Sequence, residues 1–214
     1  GLLNALIVVG MGVPHFIATL SSQIVVLGIA LLLRDVPGGG VAPIVAKIVK
    51  YKISIWPVAF IVVAIIVVLA EIFIQKTRAG IYIRATGSFR EAAFYSGINT
   101  NRIRVLAYVA SGVFASLAGC ILAVRLGGGD PNSGGTLSFQ CVTAVVIGGV
   151  SLKGGRGTII GASLGAVLLV SLLNFLNMMQ VSTYWQYVCM GGMIFLSVAF
   201  YLYMDKRRQK HLIS

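Results

Sequence analysis

The stretch Gly157-Thr-Ile-Ile-Gly161-Ala-Ser-Leu-Gly165-Ala-Val-Leu-Leu-Val-Ser-Leu-Leu-Asn174-Phe-Leu-Asn177, continuing to Met204, runs for 48 positions without one Asp, Glu, Lys or Arg. A soluble fold of this size cannot hide that much unbroken apolar chain, whereas a bilayer core takes about 20 such residues per helical crossing. Upstream, residues 76–104 carry six Lys or Arg and a single acid. Apolar runs separated by short basic ones define an all-α fold, a polytopic transmembrane helix bundle.

Charge-free runs outward from that stretch place spans near 15–33, 54–75, 104–125, 158–178 and 183–204, with a truncated one at 1–12. A piece at 139–151 is too short for an upright crossing and is expected to be tilted or broken. The 214 residues are 58% hydrophobic and only 10% charged, with a mean hydropathy of +0.96, which suits one membrane domain. The net charge of +12 lies in short runs between spans, where membrane lipid is the partner it fits and nucleic acid is not. Cys120, Cys141 and Cys189 lie apart in apolar sequence and read as small buried hydrophobes. No metal-ligand cluster accompanies His15 or the cysteines. Because the chain opens at Gly1 inside apolar sequence, it reads as the C-terminal part of a longer protein, a single domain over 1–214 lacking its N-terminal helices.

If residues 76–104, Lys153 with Arg156, and the tail Lys206, Arg207, Arg208 and Lys210 face the cytoplasm, twelve of the seventeen Lys and Arg lie inside. That assignment puts the C-terminus in the cytoplasm and makes 76–104 a cytoplasmic loop. It requires 139–151 to traverse most of the membrane.

Within the loop, Ser88 and Glu91 have the spacing of a capping box and Gly97 can supply a left-handed stop, which together specify a two-turn helix over 89–96. So short a helix is marginal alone in water. Small Ala92 and Ala93 between bulky Phe89, Phe94 and Tyr95 suit either a groove in a partner or a bed of lipid headgroups.

The run Ala92-Ala93-Phe94-Tyr95-Ser96-Gly97-Ile98-Asn99 resembles the cytoplasmic coupling loop of permeases from ribose-type sugar importers of the ATP-binding cassette class. Pro14 to Leu20, Val124-Arg125-Leu126 and the glycine-rich Gly148 to Gly157 are similar to further motifs of that family, in the same order. In place of a Lys that commonly precedes Pro14 stands Gly-Met-Gly, and His15 replaces a second Pro. The resemblance implies a bacterial plasma-membrane (inner-membrane) subunit that moves a pentose- or hexose-sized solute and works with a second permease copy or homologue. It also implies an extracytoplasmic solute-binding protein and a separate ATPase that holds ATP and Mg. On this reading Ser88, Glu91, Ala92, Ala93, Phe94, Ser96, Gly97 and Asn99 dock the coupling helix into the ATPase. Gly97→Pro and Ala93→Arg are each expected to leave the fold intact and uncouple transport. No Gly-x-x-x-x-Gly-Lys-Ser/Thr occurs in the chain, so no nucleotide cofactor is expected on it and it is not read as an enzyme.

A sugar in transit needs a few uncharged polar partners, and Thr19, Gln23, Asn174 and Asn177 are the pathway candidates. Asn174 and Asn177 share a helical face, where hydrogen bonds between helices are the competing role. Gly157, Gly161 and Gly165, like Ser111, Ala115 and Gly119, make smooth faces for close helix packing. Related architectures carry branched-chain amino acids or nucleosides, which stay open as solutes. A proton-coupled carrier would want a titratable group near mid-membrane, and Glu71, five residues before Lys76, is the acid nearest that requirement.

Overall fold

A computed structural model describes residues 1–41, 52–53, 56–152 and 154–193, with Phe195 and Ala199. Helix α1 (Leu2–Ala5) runs into a π-turn at Leu6–Gly10, and α2 is His15–Leu33. Two antiparallel two-residue strands, β1 (Lys52–Ile53) and β2 (Trp56–Pro57), precede α3 (Val58–Lys76). Then come α4 (Arg78–Ser88), α5 (Arg90–Tyr95), α6 (Thr100–Leu126), a 3-10 turn at Pro131–Ser133, α7 (Gly134–Ile147), α8 (Ile159–Met178) and α9 (183–193). Apart from the small hairpin, the described fold is all helix.

Four helices, α2, α3, α6 and α8, are long and apolar enough to cross a membrane. At most 11% of the residues in any of these apolar windows are buried. Side chains such as Ile24, Leu32 and Val170 stand exposed along them. Water would penalise that surface; lipid tails do not. The three cysteines are free and exposed as well, so the expectation that they are buried is corrected: their thiols lie on the outside of the helices. Helix α7 has 14 residues. At 1.5 Å per residue it reaches about 21 Å, short of the roughly 30 Å hydrocarbon core. The last expected span is helical through 193, and most of its remainder, with the basic tail and Lys153, lies outside the described residues.

The chain forms two compact units, Gly1–Gly134 and Gly135–Ser214. In the first, α2 and α6 run the same way. Their starts meet through His15 and Tyr108, and beyond their ends Gly38 and Gly129 exchange backbone hydrogen bonds of 3.1 and 3.0 Å. Helix α4 turns back from α3 and packs against both α3 and α6. The start of α2 therefore shares one end of this unit with residues 90–104.

In the second unit α7 and α8 touch backbone to backbone. An added Cβ on Gly165 would strike the Ala144 carbonyl, and one on Gly148 would strike that of Gly161. Ala144, Leu169 and Met190 form the buried centre, with Ile147, Ala166 and Leu173 packed around it. Of the expected stripe, Gly161 lies against the Gly148 carbonyl and Gly165 against that of Ala144. Gly157 differs: it precedes α8, adopts φ 141°, and leaves no room for a Cβ beside Val150. The Gly148–Gly157 motif is a tight return, closed by Val150 N–H to Val145 O at 3.1 Å and Ser151 N–H to Arg156 O at 3.0 Å. The second small-residue stripe, Ser111, Ala115 and Gly119, stays exposed.

Candidate functional site

The segment between α3 and α6 is almost wholly helical, where the sequence suggests a loop with one short helix. Thr77 caps α4: its hydroxyl accepts from Gly80 N–H at 3.2 Å and donates to Phe73 O at 2.6 Å. Gly80 is buried against the Ile74 backbone, an approach that any side chain would prevent. Helix α4 continues through Ser88, and the chain straightens only at Phe89, with φ −146° and ψ 99°. Ser88 is therefore helical and cannot act as a cap, and α5 begins after Phe89 with no side-chain cap. The Ser88–Glu91 capping box does not form.

The other end of α5 behaves as expected. Gly97 has φ 81°, and Gly97 N–H to Phe94 O (3.0 Å) with Ile98 N–H to Ala93 O (3.1 Å) completes a Schellman turn. Ser96 donates its hydroxyl to Ala92 O at 2.8 Å. Asn99 then caps α6 by accepting from Arg102 N–H at 3.2 Å. Arg90 reaches from α5 to Asn101 Oδ1 at 3.4 Å. Turn and cap together pin a helix too short to persist alone.

Helix α5 has one buried residue and a broad outer face. Ala93 is 4% exposed, whereas Phe89, Phe94 and Tyr95 are 76%, 65% and 86% exposed. Phe94 and Tyr95 meet edge to face, ring centroids 6.0 Å apart. Glu91 and Ala92 are on the open side. An Arg at position 93 would have to enter a buried site, and a Pro at 97 cannot take φ 81°. The expectation that those two substitutions spare the fold is corrected.

The pathway candidates separate. The Thr19 hydroxyl bonds to its own helix at His15 O and Phe16 O, 2.9 and 3.1 Å away. Gln23 and Asn174 are exposed. Asn177 accepts from Gln186 Nε2 at 2.8 Å, tying α8 to α9 in the structural role weighed beside a pathway one. Glu71 is buried, with Gln75 donating to it from one turn on. Among the described residues no group of His, Cys, Asp and Glu could hold a metal.

Over residues 1–198 the chain matches the family described as branched-chain amino acid transport system / permease component. The chain belongs to this permease family. The permease is 33% identical over 209 residues to the galactose/methyl galactoside import permease protein of Haemophilus influenzae, covering 93% of this chain and 62% of that one. To the ribose import permease protein of Bacillus subtilis it is 33% identical over 203 residues, covering 91% and 62%. To the xylose transport system permease protein of Escherichia coli it is 42% identical over 123 residues, covering 58% and 31%. The chain thus spans from under a third to about three-fifths of the length of these relatives. No solved structure matches the permease.

Two features of the permease could not be found in the sequence. Gln186 completes the Asn177 contact from a separate helix. His15 bonds to Tyr108 and Arg104, residues about ninety positions away. Neither pair has a spacing signal, because each forms only when two helices pack.

Proposed function

We propose that this chain is part of the translocation subunit of an ATP-binding cassette importer for a monosaccharide in the bacterial inner membrane, with its C-terminal tail in the cytoplasm. The observation that carries the proposal is the exposed aromatic face of α5. Phe89, just before this rigidly stopped helix, and Phe94 and Tyr95 on it lie outside the apolar spans and stand exposed among the described residues. Aromatic residues of this kind are the common anchors of protein interfaces. On this reading Phe94 and its neighbours Ser88, Glu91, Ala92, Ser96, Gly97 and Asn99 seat the helix in a groove of the ATPase, which holds ATP and Mg. Buried Ala93 anchors the helix from behind. Closure of the ATPase pushes α5, and α6 tilts with it.

The monosaccharide assignment draws on the relatives named for xylose, galactose and ribose. An extracytoplasmic binding protein delivers the solute, and a second permease copy or homologue completes the pathway. Thr19, Gln23 and Asn174 line that pathway in this proposal. The family description names branched-chain amino acids, so leucine belongs in the solute panel beside ribose, xylose and galactose.

The test uses the full-length permease with its cognate ATPase and binding protein in proteoliposomes. Phe94→Ala with Tyr95→Ala is expected to cut ATPase co-purification and uptake by at least about tenfold, as lost interface anchors do. Parental ATPase binding in that variant would remove the docking role. Uptake of leucine but no sugar would replace the solute.

A further inference from the structure

The face of α2 that carries the pathway candidates begins with a side chain bonded to α6. His15, Thr19 and Gln23 are spaced four apart and form one stripe. The His15 ring places Nδ1 2.7 Å from the Tyr108 hydroxyl and Nε2 3.2 Å from Nη2 of Arg104. It stacks on the Tyr108 ring at 6.2 Å with an interplanar angle of 20°. A guanidinium offers only donors, so Nε2 must be the acceptor and the ring proton sits on Nδ1, donated to the Tyr108 oxygen. Both ring nitrogens are thereby used.

Arg104 and Tyr108 lie one turn apart on the same face of α6, and that helix is tied at Asn101 to Arg90 of the coupling helix α5. Helices held together only by apolar contact lose little when lipid replaces the neighbour, so they slide easily. A ring fixed by two directional bonds does not. We propose that His15 is a positioning residue that locks the start of α2 to α6, so that a displacement of α5 passes through Arg90, Asn101 and α6 to the His15, Thr19, Gln23 stripe.

This inference rests on the importer reading, and its test separates the two. In the reconstituted full-length importer the readout is solute moved per ATP hydrolysed, using labelled ribose, xylose, galactose and leucine. His15→Lys presents a cation without a lone pair to Arg104. The ATPase is expected to stay bound while the ratio falls about tenfold. Adding Arg104→Glu supplies a carboxylate for that lysine and is expected to bring the ratio back to within about threefold of the parent, as coupled neighbours do. His15→Gln, which keeps an acceptor oxygen, is expected to stay within the same range. A parental ratio in His15→Lys, or a double variant no better than the single one, overturns the proposal. Should His15→Lys fail to assemble, Tyr108→Phe decides. A fall of about threefold supports the link and an unchanged ratio overturns it. A parent that retains no ATPase would remove the importer reading itself; a coupled parent with insensitive variants would remove only the link.

Discussion

Gly165 shows how a single missing side chain sets a helix contact. A Cβ there would collide with the Ala144 carbonyl oxygen and stand 2.7 Å from the Gly148 amide nitrogen. Gly165→Val is expected to cost about 1–3 kcal/mol as an overpacked interface and to lower the melting temperature of the detergent-solubilised full-length protein. Gly119→Val is the control: its Cβ would meet nothing within 4 Å, and its effect is expected to stay within about 0.5 kcal/mol. Both glycines belong to stripes of small side chains at four-residue spacing, and in sequence the two stripes look alike. Which one closes on a neighbour depends on where the partner backbone lies, which no local spacing records. Asn177 makes the same point: its helical face is legible, but its Gln186 partner is not.

At the scale of elements, the stop of α5 was legible and its start was not. Gly97 could be read because only glycine enters the left-handed region without strain, and it does so here at φ 81°. The Ser88–Glu91 pair had the right spacing, yet α4 runs through Ser88 and the extended break falls at Phe89. Propensity rules see a motif; they do not see that the preceding helix has already claimed its first residue. Asn99 performs the cap that matters, one element later. Asn99→Ala is expected to destabilise the start of α6 by about 1 kcal/mol. The measurable sign is faster hydrogen exchange at the Arg102 amide, the group that Asn99 accepts from at 3.2 Å. Unchanged exchange there would show that the cap contributes nothing.

For the molecule as a whole, the exposed apolar helices require a solvent other than water. Cys120 lies within α6, free and exposed. In intact membranes a hydrophilic maleimide is expected to leave it unlabelled, because a charged reagent does not enter the hydrocarbon core; unfolding in detergent should expose it fully. Rapid labelling before unfolding would place that face of α6 in water. The sequence by itself determined the class of this protein, the bounds of its long helices, and the turn at Gly97. Charge, hydropathy and glycine conformation act over a few residues and leave their mark in composition and spacing. Only the tertiary structure decided that α5 buries Ala93 and shows its aromatics, that Gly165 meets α7 and Gly161 meets Gly148 just beyond it, and that His15 answers to Arg104 and Tyr108. Those contacts arise between helices distant in the chain, and in lipid they depend on shape and hydrogen-bond geometry, not on a hydrophobic pattern that a sequence can display.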